Sequence, residues 1–395
     1  MGYSLEQHLV LGIASSALFD TRKEHEIYST KGLDAYVDYQ IEHENEPFAP
    51  GPAFPLVKAL LKLNAAQQIR PIEVVVMSQN EPAAGLRVMN SIEHHGLNMT
   101  RACFTGGASV ANYLRSYNVS LFLSKNREDV EAALKERIAA GWLYDAPLGK
   151  ILYDEALRIA FDGDAVIFSD ESEKIYQERG IEAFKLHEEA NAGQPMPKGP
   201  FADFLQLLSE ISKQKGLDGE ELVRTAIITA RNSPADKRVI HTLRAYGIRI
   251  NELFFMGGVA KSEALKAFKP HIFFDDQETH ASPASQFVPS ALVPVRKVPV
   301  LESDLEELTT SGRISKRSFE VQARSILKGY VPLSGDRLDD RMRTWINDKS
   351  EMTSAERWKC LETLKKYDLT NLGLADVTLN RDGVVDAGVK LRKLE

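Results

Sequence analysis

Cysteine is nearly absent: the chain of 395 residues has two, Cys103 and Cys360. So few, so far apart, exclude a disulfide framework and fit a reducing compartment, so a cytoplasmic location is expected. Long apolar runs are missing too. None reaches the roughly 18–20 residues of a membrane span, and no membrane partner is expected. The opening "MGYSLEQHLVLGIASS" has no basic n-region, so its apolar stretch reads as a first buried strand. There is also no basic surplus. Lys and Arg number 49 against 56 Asp and Glu, a net charge of −7, which excludes nucleic acid as an expected partner. A small anion in a local pocket remains open. What is present, 43% apolar and 27% charged residues, describes a globular chain long enough for two domains and a small third.

The chain repeats itself. Residues 9–52 lie over 157–200 without a gap, so that "IYSTKGLDAY" meets "IYQERGIEAF" and Gly51-Pro52 meets Gly199-Pro200. After three inserted residues, 78–107 lie over 229–258, with Gly96 on Gly247 and Gly106-Gly107 on Gly257-Gly258. An internal duplication is expected.

Each copy alternates strands and helices. "LVLGIA" (9–14), "IEVVVMS" (72–78) and "VSLFLS" (119–124) are short apolar runs, as are "LRIAF" (157–161), "TAIIT" (225–229) and "HIFFD" (271–275). Such runs suit parallel strands buried on both faces. "SPADKRVIHTLRAYG" (233–247) reads as a helix with Ser233 as N-cap, Pro234 in the first turn and Gly247 at the C-terminal cap. Its apolar face would be Val239, Ile240, Leu243 and Tyr246. The expected fold class is α/β: two tandem Rossmann-like parallel-sheet domains at 1–150 and 151–285. A Pro-rich linker at 286–300 and a tail of short amphipathic helices at 301–395 would follow. Trp345 and Trp358 in the tail read as packing anchors.

Ligands of such sheets sit at the carboxyl ends of the strands. In the second copy those ends carry Asp162 and Asp164, Thr229, and Asp275 with Asp276; Lys261 lies before the last strand. Elsewhere, His94-His95 reads as a helix end, "EHENE" (42–46) as a helix-to-loop segment for nucleotide or interface contacts rather than a metal cluster, and Cys103 as core.

With "FDGDAVIF", "IITAR", Lys261 and "IFFDD", the sequence resembles the haloacid-dehalogenase-like phosphohydrolases. More narrowly, "YQIEHENEPFAPGPAFP" (39–55), "FTGG" (104–107), "AFDGDAVIFSDESE" (160–173) and "KPHIFFDD" (269–276) resemble the type I cytosolic 5'-nucleotidases. The resemblance covers roughly 8–285. It implies that Asp162 is the nucleophile and forms an aspartyl-phosphate, and that Asp164 is the acid and base. It implies Mg²⁺ held by Asp162, the Asp164 carbonyl, Asp275 and Asp276. Thr229 and Lys261 would bind the phosphoryl group, with Lys266 as the fallback lysine. Three carboxylates and a phosphate dianion against one lysine leave a negative excess that a divalent cation would halve. The implied function is hydrolysis of nucleoside 5'-monophosphates, AMP first among them. Another small phosphate ester, or a non-catalytic nucleotide sensor, stays open, and a homo-oligomer is the expected state.

The first copy lacks this set. Asp162 falls on Ala14, Asp164 on Ser16, Lys261 on Val110, Asp275 on Ser124 and Asp276 on Lys125; Thr229 alone keeps a hydroxyl partner, Ser78. This half would either only pack, or form a nucleotide effector pocket from Ser16, Ser78, the backbone of Gly106-Gly107, and Lys125.

Overall fold

The structure, a computed structural model, describes residues 5–6, 8–65, 71–145, 156–214 and 221–294, and four two-residue strands between 374 and 391. Ten strands form one sheet: β1 Leu9–Ile13, β2 Ile72–Ser78, β3 Arg101–Phe104, β4 Leu121–Ser124, β5 Ala139–Leu143, β6 Leu157–Phe161, β7 Val223–Thr229, β8 Glu252–Phe255, β9 Ile272–Asp275 and β10 Ser290–Leu292. Their order is β3-β2-β1-β4-β5-β10-β9-β6-β7-β8. Read inward from its two ends, the sheet shows the same order twice, β3-β2-β1-β4-β5 and β8-β7-β6-β9-β10. Within each half all pairs are parallel; the halves meet where β5 and β10 run antiparallel, Leu143 opposite Ala291 and Trp142 opposite Leu292. This is a mixed α/β fold with a large, mostly parallel sheet.

The two tandem parallel-sheet domains expected at 1–150 and 151–285 share this one sheet, within a compact unit of residues 1–295. The reason is burial. On one face a single core joins Leu11, Ile13 and Val76 to Ile159, Phe161 and Phe274, while the other face carries a separate core in each half. On the shared face helix Phe54–Ala65 of the first half reaches β6, and helix Ala202–Ser212 of the second half reaches β1. A correction falls at 286–300. Residues 290–292 of the expected linker are β10, paired on both sides, with Val288, Ala291, Leu292 and Val293 buried.

The predicted helix at 233–247 is shorter, Asp236–Ala245. Ser233 is not its cap; a cis Ser233–Pro234 bond lies in the turn before it. Ile240 is 36% exposed, and the buried face is Arg238, Val239, Thr242 and Leu243. Gly247 does end the helix: it donates to the Arg244 carbonyl while Ile248 donates to that of Leu243. Gly96 and Leu97 make the same pair of bonds to Glu93 and Ile92 in the first half. The long helices Arg22–Glu42 and Glu171–Ala190 are each broken at a glycine with positive φ, Gly32 and Gly180.

The unit at 296–395 shows two small antiparallel ladders, 374–375 with 390–391 and 378–379 with 385–386. The expected tail helices, Trp345 and Trp358 lie outside the described residues.

Candidate active site

The register of three strands assembles the site. Phe161 of β6 lies opposite Ile227 of β7 and Phe274 of β9, and the Asp162 amide donates to the Phe274 carbonyl at 2.7 Å. Asp162 therefore leaves its strand beside Asp275. A tight turn, Gly163–Ile167, then carries Asp164 away, with Val166 and Ile167 buried beneath. Gly163 packs close to the Thr229 side chain, 3.3 Å from where a Cβ would stand.

Asp162, Asp275 and Asp276 can bring one carboxylate oxygen each within 4.8 Å of one another. Lys261 joins them: its Nζ donates to Asp162 Oδ1 and to Asp275 Oδ2, both at 2.7 Å, and all three groups are buried. Burial alone would lower the lysine's pKa, but the two carboxylates outweigh it and hold the ammonium above its usual value. The carboxylates do not share it equally. Both are pushed up by burial, yet Asp275 has Lys261, His280 at 3.5 Å and the Gln277 amide at 2.9 Å, and ends below its usual value. Asp162 has Lys261 alone against burial, Asp275 and Asp164, and is pushed up to about 7. Asp276 is raised to about 8 by burial and by Asp162 and Asp275, and its buried Oδ1 has no hydrogen-bond partner.

Three clustered carboxylates, one of them with an orphaned buried oxygen, are a donor set for a hard divalent cation, and Asp162, Asp275 and Asp276 are the residues that would hold it. Thr229 is buried at the end of β7, and its Oγ1 accepts from the Arg231 amide at 3.2 Å, leaving its own hydrogen to donate. Lys266, the fallback, is exposed and paired with Glu263 at 2.9 Å.

Asp164 stands apart from the cluster. Both its oxygens face Arg231, from Nε at 2.7 Å and Nη2 at 2.6 Å. The part assigned to it toward a metal, through its carbonyl, does not involve this carboxylate. Arg231, Glu188, Arg238 and His280 received no role from the sequence. Arg231 stands within the quoted "IITAR", two residues past Thr229, and a polar residue just past a strand end was the available signal.

The first half treats its matching positions differently. Ser15 Oγ lies 3.0 Å from Ser78 Oγ, which also accepts from the Asn80 amide. The Gly106 amide donates to the Asn80 carbonyl and that of Gly107 to Gln79, so neither amide points at a ligand. Glu81 stands beside Gly106. Lys125 is paired with Asp145 at 2.5 Å, and Ser16 is half-buried. Of the five groups expected to form an anion pocket, Ser78 and the Gly106 and Gly107 amides are hydrogen-bonded within the fold, and Lys125 is paired at the surface with Asp145.

The 5'-nucleotidase family profile matches residues 1–299, which enclose all ten strands and the whole carboxylate cluster. Human cytosolic 5'-nucleotidase 1B (Homo sapiens) is 37% identical over 288 residues, covering 70% of this chain and 47% of the relative. The chain spans about half the length of the curated relative it matches. A solved structure, histidinol dehydrogenase from Elizabethkingia anophelis, aligns over 61% of this chain and 49% of its own at 8% identity, and its TM-score of 0.18 is too low to bear on the fold. With the strand ends, the cluster and the family profile falling on the same residues, this chain belongs to the 5'-nucleotidase family.

Proposed function

We propose that this chain hydrolyses nucleoside 5'-monophosphates, AMP among them, to nucleoside and phosphate, using Mg²⁺ in the cytoplasm. The observation that carries the reading is the meeting of Asp162, Asp275, Asp276 and Lys261 at neighbouring strand ends, with Thr229 beside them, in a chain of this family. An Asp162 oxygen attacks phosphorus, the bond to the nucleoside 5'-oxygen breaks, and that oxygen leaves with a proton from Asp164. Asp164 then takes a proton from a water, which cleaves the aspartyl-phosphate and frees phosphate. Thr229 donates its hydroxyl hydrogen to a phosphoryl oxygen, and Lys261 keeps Asp162 and Asp275 from repelling the incoming anion. A bound Mg²⁺ supplies the positive charge that lets a phosphate dianion approach three carboxylates.

The first half is best read as a duplicated copy without the chemistry. Its repeated strand order, its glycine-broken long helix and its matching helix end at Gly96 support that origin. The engagement of Ser78, Lys125 and the Gly106-Gly107 amides favours a packing role over an effector site.

Phosphate release from nucleoside monophosphates and sugar phosphates tests the reading. Nucleotides should be preferred, chelation should abolish release, and Mg²⁺ should restore it. Ca²⁺ should serve poorly, its shell being larger and looser. Release from sugar phosphates alone would move the chain to another phosphate ester, and release from neither would end the proposal.

A further inference from the structure

Two buried arginines, Arg231 and Arg238, share the carboxylate of Glu188, and the first half of the chain provides a control for each. The Arg231 side chain is 2% exposed. One edge of its guanidinium faces Asp164, and Nη1 donates to Glu188 Oε2 at 2.5 Å. Arg238 donates to Glu188 Oε1 at 2.9 Å, where Ser172 Oγ also donates at 2.8 Å. The two arginines thus share Asp164 and Glu188, and Arg238 also faces the half-exposed Glu171 at 3.6 Å.

The repeat places Arg238 on Arg87, Glu188 on Gln40 and Ser172 on Glu24. In the first half Arg87 Nη1 lies 2.9 Å from Glu24 Oε1 and 3.0 Å from Gln40 Oε1. The carboxylate has moved from one end of the long helix to the other, yet the buried arginine–carboxylate pair persists. A pair kept where the catalytic groups are missing belongs to the fold. Arg231 and Asp164 fall on Asn80 and Ser16, so this second pair is missing as a unit.

We infer that Arg231 is a positioning residue for the reaction, its planar fork fixing the orientation of the Asp164 carboxylate, whereas Arg238 serves the fold. The inference rests on the functional reading above. Arg231 is not a phosphate ligand, because Nε, Nη1 and Nη2 are all committed to carboxylates and the side chain is buried. A fork that contacts both oxygens removes rotation about the Asp164 Cβ–Cγ bond, which a single-point lysine ammonium does not. Asp164 must meet first the leaving 5'-oxygen and later a water, so its aim decides the rate of both steps.

The test compares Arg231→Lys with Arg238→Lys in the full chain, using AMP and Mg²⁺. Both keep the charge and lose the fork. Arg231→Lys should lower kcat ~10²-fold with KM little changed. Arg238→Lys should lower the unfolding midpoint and leave kcat near wild type at temperatures where it stays folded. Asp164→Asn with and without Arg231→Lys should share one residual kcat, since the arginine acts through the carboxylate. The double variant Asp164→Ser, Arg231→Asn reproduces the pair found in the first half and should keep the wild-type unfolding midpoint. Equal kcat losses in the two lysine variants, or a further loss on adding Arg231→Lys to Asp164→Asn, overturns the inference. A wild-type chain inert toward every nucleotide overturns the functional reading, and this inference with it.

Discussion

Asp162 and Asp164 are two residues apart and have different partners. Asp162 is wholly enclosed, shares Lys261 with Asp275 at 2.7 Å, and is raised to about 7 by burial. Asp164 is held by an arginine that belongs to another network. The same substitution should therefore have different results. Asp162→Asn removes the attacking oxygen's charge and should lower kcat by about 10⁴-fold or more while the fold survives, as the amide is isosteric. Asp164→Asn leaves the nucleophile in place and should cost about 10²–10⁴-fold. It should also let a phospho-enzyme accumulate with substrates whose leaving group needs no proton, seen as a burst in rapid-quench measurements. A chain that keeps ordinary turnover with Asp162→Asn does not use this nucleophile.

At the scale of elements, the turn carrying both aspartates is braced from behind by Gly199. A Cβ there would run into the Phe168 and Val166 carbonyl oxygens, next to the bridge between Phe168 and Lys198. Gly51 in the first half is also tightly placed: a Cβ there would stand 2.7 Å from Phe19 backbone atoms, next to the bridge between Phe19 and Pro50. Gly51→Ala and Gly199→Ala should each destabilise by about 3 kcal/mol, measured by denaturant unfolding. Only Gly199→Ala should also lower kcat in the folded protein, because it moves Val166 and Ile167 under Asp162 and Asp164. Equal activity in the two variants would show that the turn is not set from this side.

The elements that sequence could reveal were those with local signals. Unbroken apolar runs marked β1, β2, β4, β6, β7 and β9, and their last residues marked the carboxylate cluster. β10 was hidden because Pro289 and Pro294 enclose only four residues, and the strand character of the three in β10 comes from β5 and β9 on either side. Arg231 was hidden for a related reason. Its carboxylate partners, Asp164 and Glu188, stand 67 and 43 positions earlier, so no spacing rule reaches it. Ile240 misled because helical spacing alone does not say that Arg238 and Thr242 would be buried in its place, with partners at Glu188 and the Met196 amide.

For the molecule as a whole, the shared core face predicts how residues 1–295 unfold. Helices of each half reach strands of the other, and β5 and β10 join the halves through backbone hydrogen bonds. The halves should lose structure together. Trp142 lies in β5 at this junction, and the other two tryptophans lie in the tail, at 345 and 358. In the full chain with Trp345→Phe and Trp358→Phe, the fluorescence of Trp142 and the far-UV signal of the sheet should change at one denaturant concentration. Two separated transitions would mean that the halves fold independently despite their common sheet.

Strand direction reverses between β5 and β10. The carboxyl ends of β6, β7 and β9 therefore open on one rim of the sheet, and the matching ends of β1, β2 and β4 open on the opposite rim. The rim with the carboxylate cluster and its silent twin face apart, like two doors on opposite sides of a house, and the two sets of strand ends do not share one pocket.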